Sequence, residues 1–176
     1  LCEGATLKLG AKVYGPTTLG PFCKVGGEVN NVIFQAYSNK GHDGFLGNSV
    51  IGEWCNIGAD TNTSNLKNNY GLVKTYSFAT QKLEQTDFQF MGLVMGDHSA
   101  CGINTMFNTG SVVGVSSNIF GAGFPPKYIP SFTWGMGNDI YNFDKALESA
   151  YNRMNRRNKE LSAAEISLLK FIADKK

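Results

Sequence analysis

The chain is poor in the residues on which many sites depend. It has 2 histidines, 2 tryptophans and 4 cysteines among 176 residues, and only 17% of its residues are charged. No run approaches the ~18 apolar residues that a membrane-spanning helix needs, so a membrane partner is not expected. A formal net charge of +2 is too weak to argue for nucleic acid. No Gly-x-Gly-x-x-Gly, no Walker-type phosphate loop and no Gly-x-Ser-x-Gly elbow occurs. Dinucleotide binding, P-loop chemistry and serine-elbow hydrolysis therefore lack their motifs.

What is abundant is glycine, at 21 residues, and it falls on a period. Counting in sixes from Leu1 gives Leu7, Val13, Leu19 and Val25. The same frame returns at Phe45, Ile51 and Ile57, and again at Met95, Cys101, Phe107, Val113 and Ile119. Four residues after these apolar anchors stand mostly small residues: Ala5, Ala11, Thr17, Cys23, Ser49, Cys55, Thr61, Ser99, Thr105, Ser111 and Ser117, with Val29 as the bulky exception. Glycine often follows the anchor directly, as at Gly20, Gly26, Gly52, Gly58, Gly96, Gly102 and Gly114. A helix would repeat at 3.6 residues. A repeat of six, with a large and a small inward position, predicts an all-β fold: a parallel β-helix of hexapeptide repeats, each a short strand and a turn. Cys23 and Cys55 fall on small inward positions and Cys101 on an anchor, so the cysteines read as reduced and structural, as in a cytoplasmic protein.

The regular frame covers residues 1–29, Phe45 to Asn62 and Met95 to Phe124. It lapses over residues 30–44, and again over a long loop from Thr63 to Val94 in which Tyr70–Ser77 and Asp87–Phe90 could be strands. Leu1 is already on the frame, which predicts a coil beginning before it. Pro125, Pro126 and Pro130 are expected to end the β-helix, because proline cannot donate to a ladder. The expected organisation is a β-helix over residues 1–134, with an inserted loop at 63–94, and a helical tail over 135–176. In the tail, Phe143, Ala146, Leu147, Ala150, Tyr151 and Met154 share a helix face. Ser162 and Glu165 form a capping box that opens a second helix. The helices would cover an end of the β-helix or a neighbouring subunit. The loop would lid a site or pad an interface between subunits.

Candidate chemistry is sparse. His98 lies in a regular coil and reads as structural. His42 sits between glycines where the frame lapses, a setting that tends to mark sites. Asn30, Asn31, Lys40, Asp43, Asn56 and Asn65 are polar residues nearby. Two histidines cannot make the three-histidine zinc site of γ-class carbonic anhydrases, so no metal is expected. One histidine remains as a possible general base, with no obvious nucleophile on the protein.

Three strings carry a resemblance: Gly41-His42-Asp43-Gly44-Phe45-Leu46-Gly47, Ile51-Gly52-Glu53-Trp54-Cys55-Asn56-Ile57-Gly58-Ala59 and Ser64-Asn65. They resemble the acetyltransferase domain of the bifunctional family that joins N-acetylglucosamine-1-phosphate uridyltransferase to glucosamine-1-phosphate N-acetyltransferase. The strings Lys-Val-Gly-Gly-Glu-Val, Tyr-Ser-Asn-Lys-Gly-His-Asp-Gly, Met-Gly-Asp-His-Ser and Asn-Thr-Met-Phe-Asn-Thr-Gly resemble its Bacteroidetes-type version, over most of residues 1 to 134. The resemblance implies a left-handed β-helix, a homotrimer with sites between subunits, acetyl-CoA as co-substrate, and a nucleotidyltransferase domain ahead of residue 1. It makes His42 the base, Glu28 the carboxylate that orients it and Asn65 the residue that positions the sugar amine. Asn56 would bind the sugar phosphate end, and the Ala59 N–H would face the developing oxyanion. Asn104 and Ala122 fall on the coenzyme A side. Arg153, Arg156 and Arg157 either meet its phosphates or form a solvated helix face.

Two positions depart from the family pattern. Asn30 stands where the better-known members have lysine, and Phe45 where they have tyrosine, so two phosphate contacts are missing. Lys24 and Lys40 are the candidates to replace them. The expected function is acetyl transfer to an amino-sugar phosphate in UDP-N-acetylglucosamine synthesis. The alternative is a trimerising scaffold for a sugar nucleotidyltransferase.

Overall fold

The computed structural model describes residues 1–137 and 139–175. Asn138 and Lys176, both in the expected tail, lie outside the described residues. The chain winds into a three-faced parallel solenoid with two C-terminal helices, which matches a left-handed β-helix with a helical tail. The first face stacks Thr6–Leu7, Lys24–Val25, Asn39–Lys40, Asn56–Ile57, Ala100–Cys101, Asn118–Ile119 and Thr133–Trp134, all parallel, and Asp139–Ile140 closes it antiparallel. Glu28–Phe34 and Phe45–Ile51 each bend through a corner, so their first halves lie on the second face and their last residues on the third. Asn62–Thr63 and Met106–Phe107 continue the second face. Leu93–Met95, Ser111–Val113 and Tyr128–Ile129 continue the third.

Alternation along each short strand points one side chain inward, and register stacks these into files. Leu19, Phe34, Ile51, Met95, Val113 and Ile129 fill the third-face file, and all are buried. Each such side chain taken from water contributes about 1.5–3 kcal/mol. The small inward residues have a second task at the corner before the first face, where carbonyls leave the ladder. The Ser38 hydroxyl donates to Gly52 O at 2.6 Å, Ser99 to Gly114 O at 2.6 Å and Ser117 to Pro130 O at 2.8 Å. Cys23 and Cys55 donate their thiols in the same way, to Gln35 O and Gly96 O. All four cysteines are free; Cys2 is exposed and the other three are buried. Burial pushes the Cys55 thiol up to about 12, so it stays protonated.

Several expectations need correction. The frame does not lapse over residues 30–44. The coil there is short: Val25 pairs with Lys40, fifteen residues on, whereas Cys101 pairs with Ile119, eighteen on. The shortening moves the frame by a residue or two. The second-face anchors are therefore Val29 and Leu46, which pair with each other, and Phe45 points outward. The prolines do not end the solenoid. Tyr128–Ile129 and Thr133–Trp134 still pair with the coil beneath, because the prolines fall at corners and between strands, where no ladder donor is missed. Asp87–Phe90 is not a strand, apart from a bridge between Phe90 and Leu66. The hairpin is Lys74–Ser77 against Lys82–Gln85. The excursion packs on the third face, with Tyr76 stacked on Tyr128 at 3.6 Å and Lys127 Nζ donating to Lys74 O and Thr109 O.

The tail forms α1, Phe143–Asn155, and α2, Ala163–Asp174. The Ser162–Glu165 capping box is present at the start of α2. The helices lie along the corner ahead of the first face. There Phe22, Tyr37, Trp54, His98, Ser116 and Phe132 form a file with φ between 53° and 60°. Each N–H in this file donates to a carbonyl of an adjacent coil, for example Trp54 N to Ala36 O and His98 N to Glu53 O. Those bonds hold a conformation that costs a non-glycine residue about 1–2 kcal/mol. Phe22, Tyr37 and Trp54 stack ring on ring, and α1 packs its Ala146, Ala150 and Met154 against the corner.

Candidate active site

The outward side of the first face makes the floor of a cleft of about 780 Å³. Register fixes its order: Lys24, Asn39, Asn56 and Ala100 stand on successive rungs, about 4.8 Å apart. Tyr37 and Trp54 close one edge. Gly41, His42, Gly58, Ala59 and Ile103 close the other, and the end of α1 with the turn that follows it roofs the space with Asn152, Arg153, Arg156 and Arg157. A second cavity of about 330 Å³ continues round the corner past His42 to Asp43 and Asp60.

Charge in the cleft is one-sided. Its lining holds Lys8, Lys24 and three arginines, with no carboxylate. The crowding is visible on Lys24, whose pKa is lowered chiefly by the nearby Arg157. Arg153 is the structural member of the set. Its Nη1 donates to His98 O at 3.0 Å and to Trp54 O, which ties α1 to the aromatic corner. Such a cleft attracts phosphates.

His42 is exposed, at the junction of the two cavities, and its imidazole makes no hydrogen bond among the described residues. The Ala59 N–H in the same wall is likewise unused among the described residues, while Ala59 O accepts from Asn104 N at 2.8 Å. Asn39 Oδ1, on the floor, is buried without a partner among the described residues. A free imidazole, an unused N–H and an orphaned amide oxygen thus share one cation-lined cleft.

The residues singled out from sequence fall into two groups. His42, Asn56, Ala59, Lys24 and Arg156 line the cleft. Glu28, Asn30, Phe45 and Asn65 lie elsewhere, on the outside of the second face. There Asn65 Nδ2 donates to Asn48 Oδ1 at 2.7 Å, and the Phe45 ring and the Asn65 amide meet over Gly47. The structure does not bring the Glu28 carboxylate into the cleft beside His42. Asn104 is exposed on the coil above Ala59, and Ala122 is exposed in a corner outside the cleft. Lys40 is not offered to a ligand at all, since it is 1% exposed and points into the core. Residues 64–92 line no part of the cleft. Sequence reasoning missed Asn39, Tyr37 and Trp54 as cleft residues. The in-register pair of Asn39 and Asn56 was the available signal, hidden by the shortened coil.

His98 keeps its structural reading, with an added feature. Burial, together with the Arg153 charge, lowers its pKa to about 4, and Nδ1 is buried without a partner among the described residues. No cluster of three metal-ligating side chains occurs among the described residues, and no described helix is long and apolar enough to cross a membrane.

Fold and site together define a hexapeptide-repeat β-helix with a cationic, histidine-bearing cleft. No family model matches the chain. Over 87 residues it is 33% identical to a curated relative, the bifunctional protein GlmU of Methanocaldococcus jannaschii, a match that covers 49% of this chain. The chain spans about a fifth (21%) of that relative's length. Among solved structures, the polySia specific acetyltransferase NeuO aligns over 89% of this chain and 95% of its own. Its TM-score of 0.38 at 11% identity is too distant to bear on function.

Proposed function

We propose that the chain is an acetyl-CoA-dependent N-acetyltransferase of the hexapeptide-repeat type, acting on an amino-sugar phosphate. Glucosamine-1-phosphate, on the route to UDP-N-acetylglucosamine, is the first candidate acceptor. The observation that carries this reading is the free His42 imidazole and the unused Ala59 N–H in one wall of a cleft lined by five cations and no carboxylate. In this reading the acceptor amine attacks the thioester carbonyl carbon. His42 takes the proton that the amine sheds, and the Ala59 N–H donates to the oxyanion that forms. The carbon–sulfur bond then breaks, and the proton passes from His42 to the departing thiolate.

Arg156 and Arg157 would hold phosphates of coenzyme A, and Lys24 and Asn56 the acceptor phosphate. Glu28, Asn30, Phe45 and Asn65 cannot serve the same cleft from within one chain. A homotrimer that lays the second face of one copy beside the first face of the next would unite the two groups. The proposed setting is cytoplasmic, with a nucleotidyltransferase domain as the functional neighbour.

The test is thiol release from acetyl-CoA with glucosamine-1-phosphate and with plain glucosamine, in wild type and His42→Ala. The expected result is release that needs the phosphate and drops by about 10²–10⁴-fold in the variant. Undiminished turnover in His42→Ala would overturn the mechanism. No release with either sugar would favour the trimerising scaffold.

A further inference from the structure

Among the described residues, Lys40 is the one charged side chain in the solenoid core. It stands in the inward file of the first face, between Val25 and Ile57, with Leu7 below and Cys101 and Ile119 above, all apolar. A lysine at an anchor needs a local reason, because an ammonium taken from water needs acceptors. Two are present: Nζ donates to His42 O at 2.8 Å and to Gly26 O at 3.2 Å.

The corner explains why they are there. From anchor to anchor, the lower coil needs four residues, Val25 to Val29, and the coil above needs six, Lys40 to Leu46. The ladder therefore runs from Gly26 N to Lys40 O and resumes from Glu28 N to Gly44 O. Between these bonds His42 and Asp43 have no backbone donor beneath them. Asp43 O is served from above by Asp60 N at 2.9 Å. His42 O is served by Lys40. The lower corner leaves room for this because Gly27 carries no side chain: a Cβ there would lie 2.7 Å from Lys40 Nζ and 2.7 Å from His42 O. A buried carbonyl left without a donor is costly enough that chains rarely allow it.

We propose that Lys40 is a positioning residue for His42: its ammonium replaces the ladder donor that the short coil cannot supply, and so holds the two-residue bulge that presents the imidazole to the cleft. This rests on the reading of His42 as the working base. It also reassigns Lys40 from the acceptor phosphate to the inside of the wall. Burial lowers the Lys40 pKa, and the charges of Asp43 and Asp60 oppose that shift.

The test is Lys40→Met, which keeps an apolar filling in an apolar file and removes the donor. Amide exchange at Asp60, which bonds the far side of the same bulge, should quicken about tenfold. The ring signal of His42, easily resolved with only 2 histidines in the chain, should change its chemical shift, while that of His98 stays in place. Where turnover is measurable, kcat should fall about tenfold or more with KM nearly held, as expected of a misplaced base. If Lys40→Met does not fold, Lys40→Leu, which also lacks a donor, carries the same measurements. Wild-type exchange at Asp60 together with an unmoved His42 ring signal, in whichever variant folds, overturns the inference. The exchange and ring-signal readouts need no turnover, so loss of the acetyltransferase reading and loss of this one are separable.

Discussion

Two coils over the same face show what irregularity does here. From Cys101 to Ile119 the chain takes eighteen residues, and every inward position is filled by the residue type the repeat prescribes. From Val25 to Lys40 it takes fifteen, and an anchor becomes a lysine. The regular coil gives little to the cleft beyond Ala100 and Ile103. The short coil and its successor give Tyr37, Asn39, Gly41, His42, Trp54, Asn56 and Ala59. A repeat closes its own hydrogen bonds and so leaves few groups free for a ligand. Shortening one coil by three residues leaves carbonyls and a bulge that other groups must serve, and unserved groups are what a ligand can meet.

That contrast can be broken by mutation. Phe107→Ala empties a fully buried site in the regular part and should cost about 3–5 kcal/mol in urea unfolding. The His42 ring signal should not move; a shift would mean that the two parts are not independent. His98→Phe should act through pH. The folded pKa of His98 is about 4, below the ~6.5 of an unfolded histidine, so the unfolded chain binds the extra proton. Stability of the wild type should then fall as pH drops from about 6.5 towards 4, by at most about 3 kcal/mol. His98→Phe should remove that slope without straining the corner, since Phe22 and Phe132 already adopt the same φ in the same file. Equal slopes in the two proteins would overturn the assignment. The smallest effect belongs to Ser162→Ala, which removes the α2 capping box and should cost about 1 kcal/mol. It should leave thiol release and the His42 signal alone, since it touches neither coil.

The period of six makes the solenoid legible in the sequence, because inward files impose residue size at fixed spacing. The capping box and the stripe of α1 were legible for the same kind of reason: both are local. What stayed hidden was non-local. Nothing near Lys40 in sequence announces that the coil beneath it is two residues short at the corner, and register, not pattern, decides that Leu46 rather than Phe45 faces inward. The prolines misled because their effect depends on whether they meet a strand or a corner. Of the candidate site, His42, Asn56 and Ala59 converge on the cleft. Glu28 and Asn65 do not join them within one chain, since neighbouring faces of a solenoid point apart.

The stacked file at the corner gives the molecule an internal optical gauge. Tyr37 and Trp54 lie parallel at 4.1 Å, and the Trp54 carbonyl receives the guanidinium of Arg153 from α1. Rings held face to face couple their electronic transitions, so the near-ultraviolet circular dichroism of this pair carries a signature of the docked tail. Lifting α1 would expose the indole and erase that signature while the backbone signal of the solenoid remained. The cleft roof can therefore be watched in solution, without a label, as ligands are added.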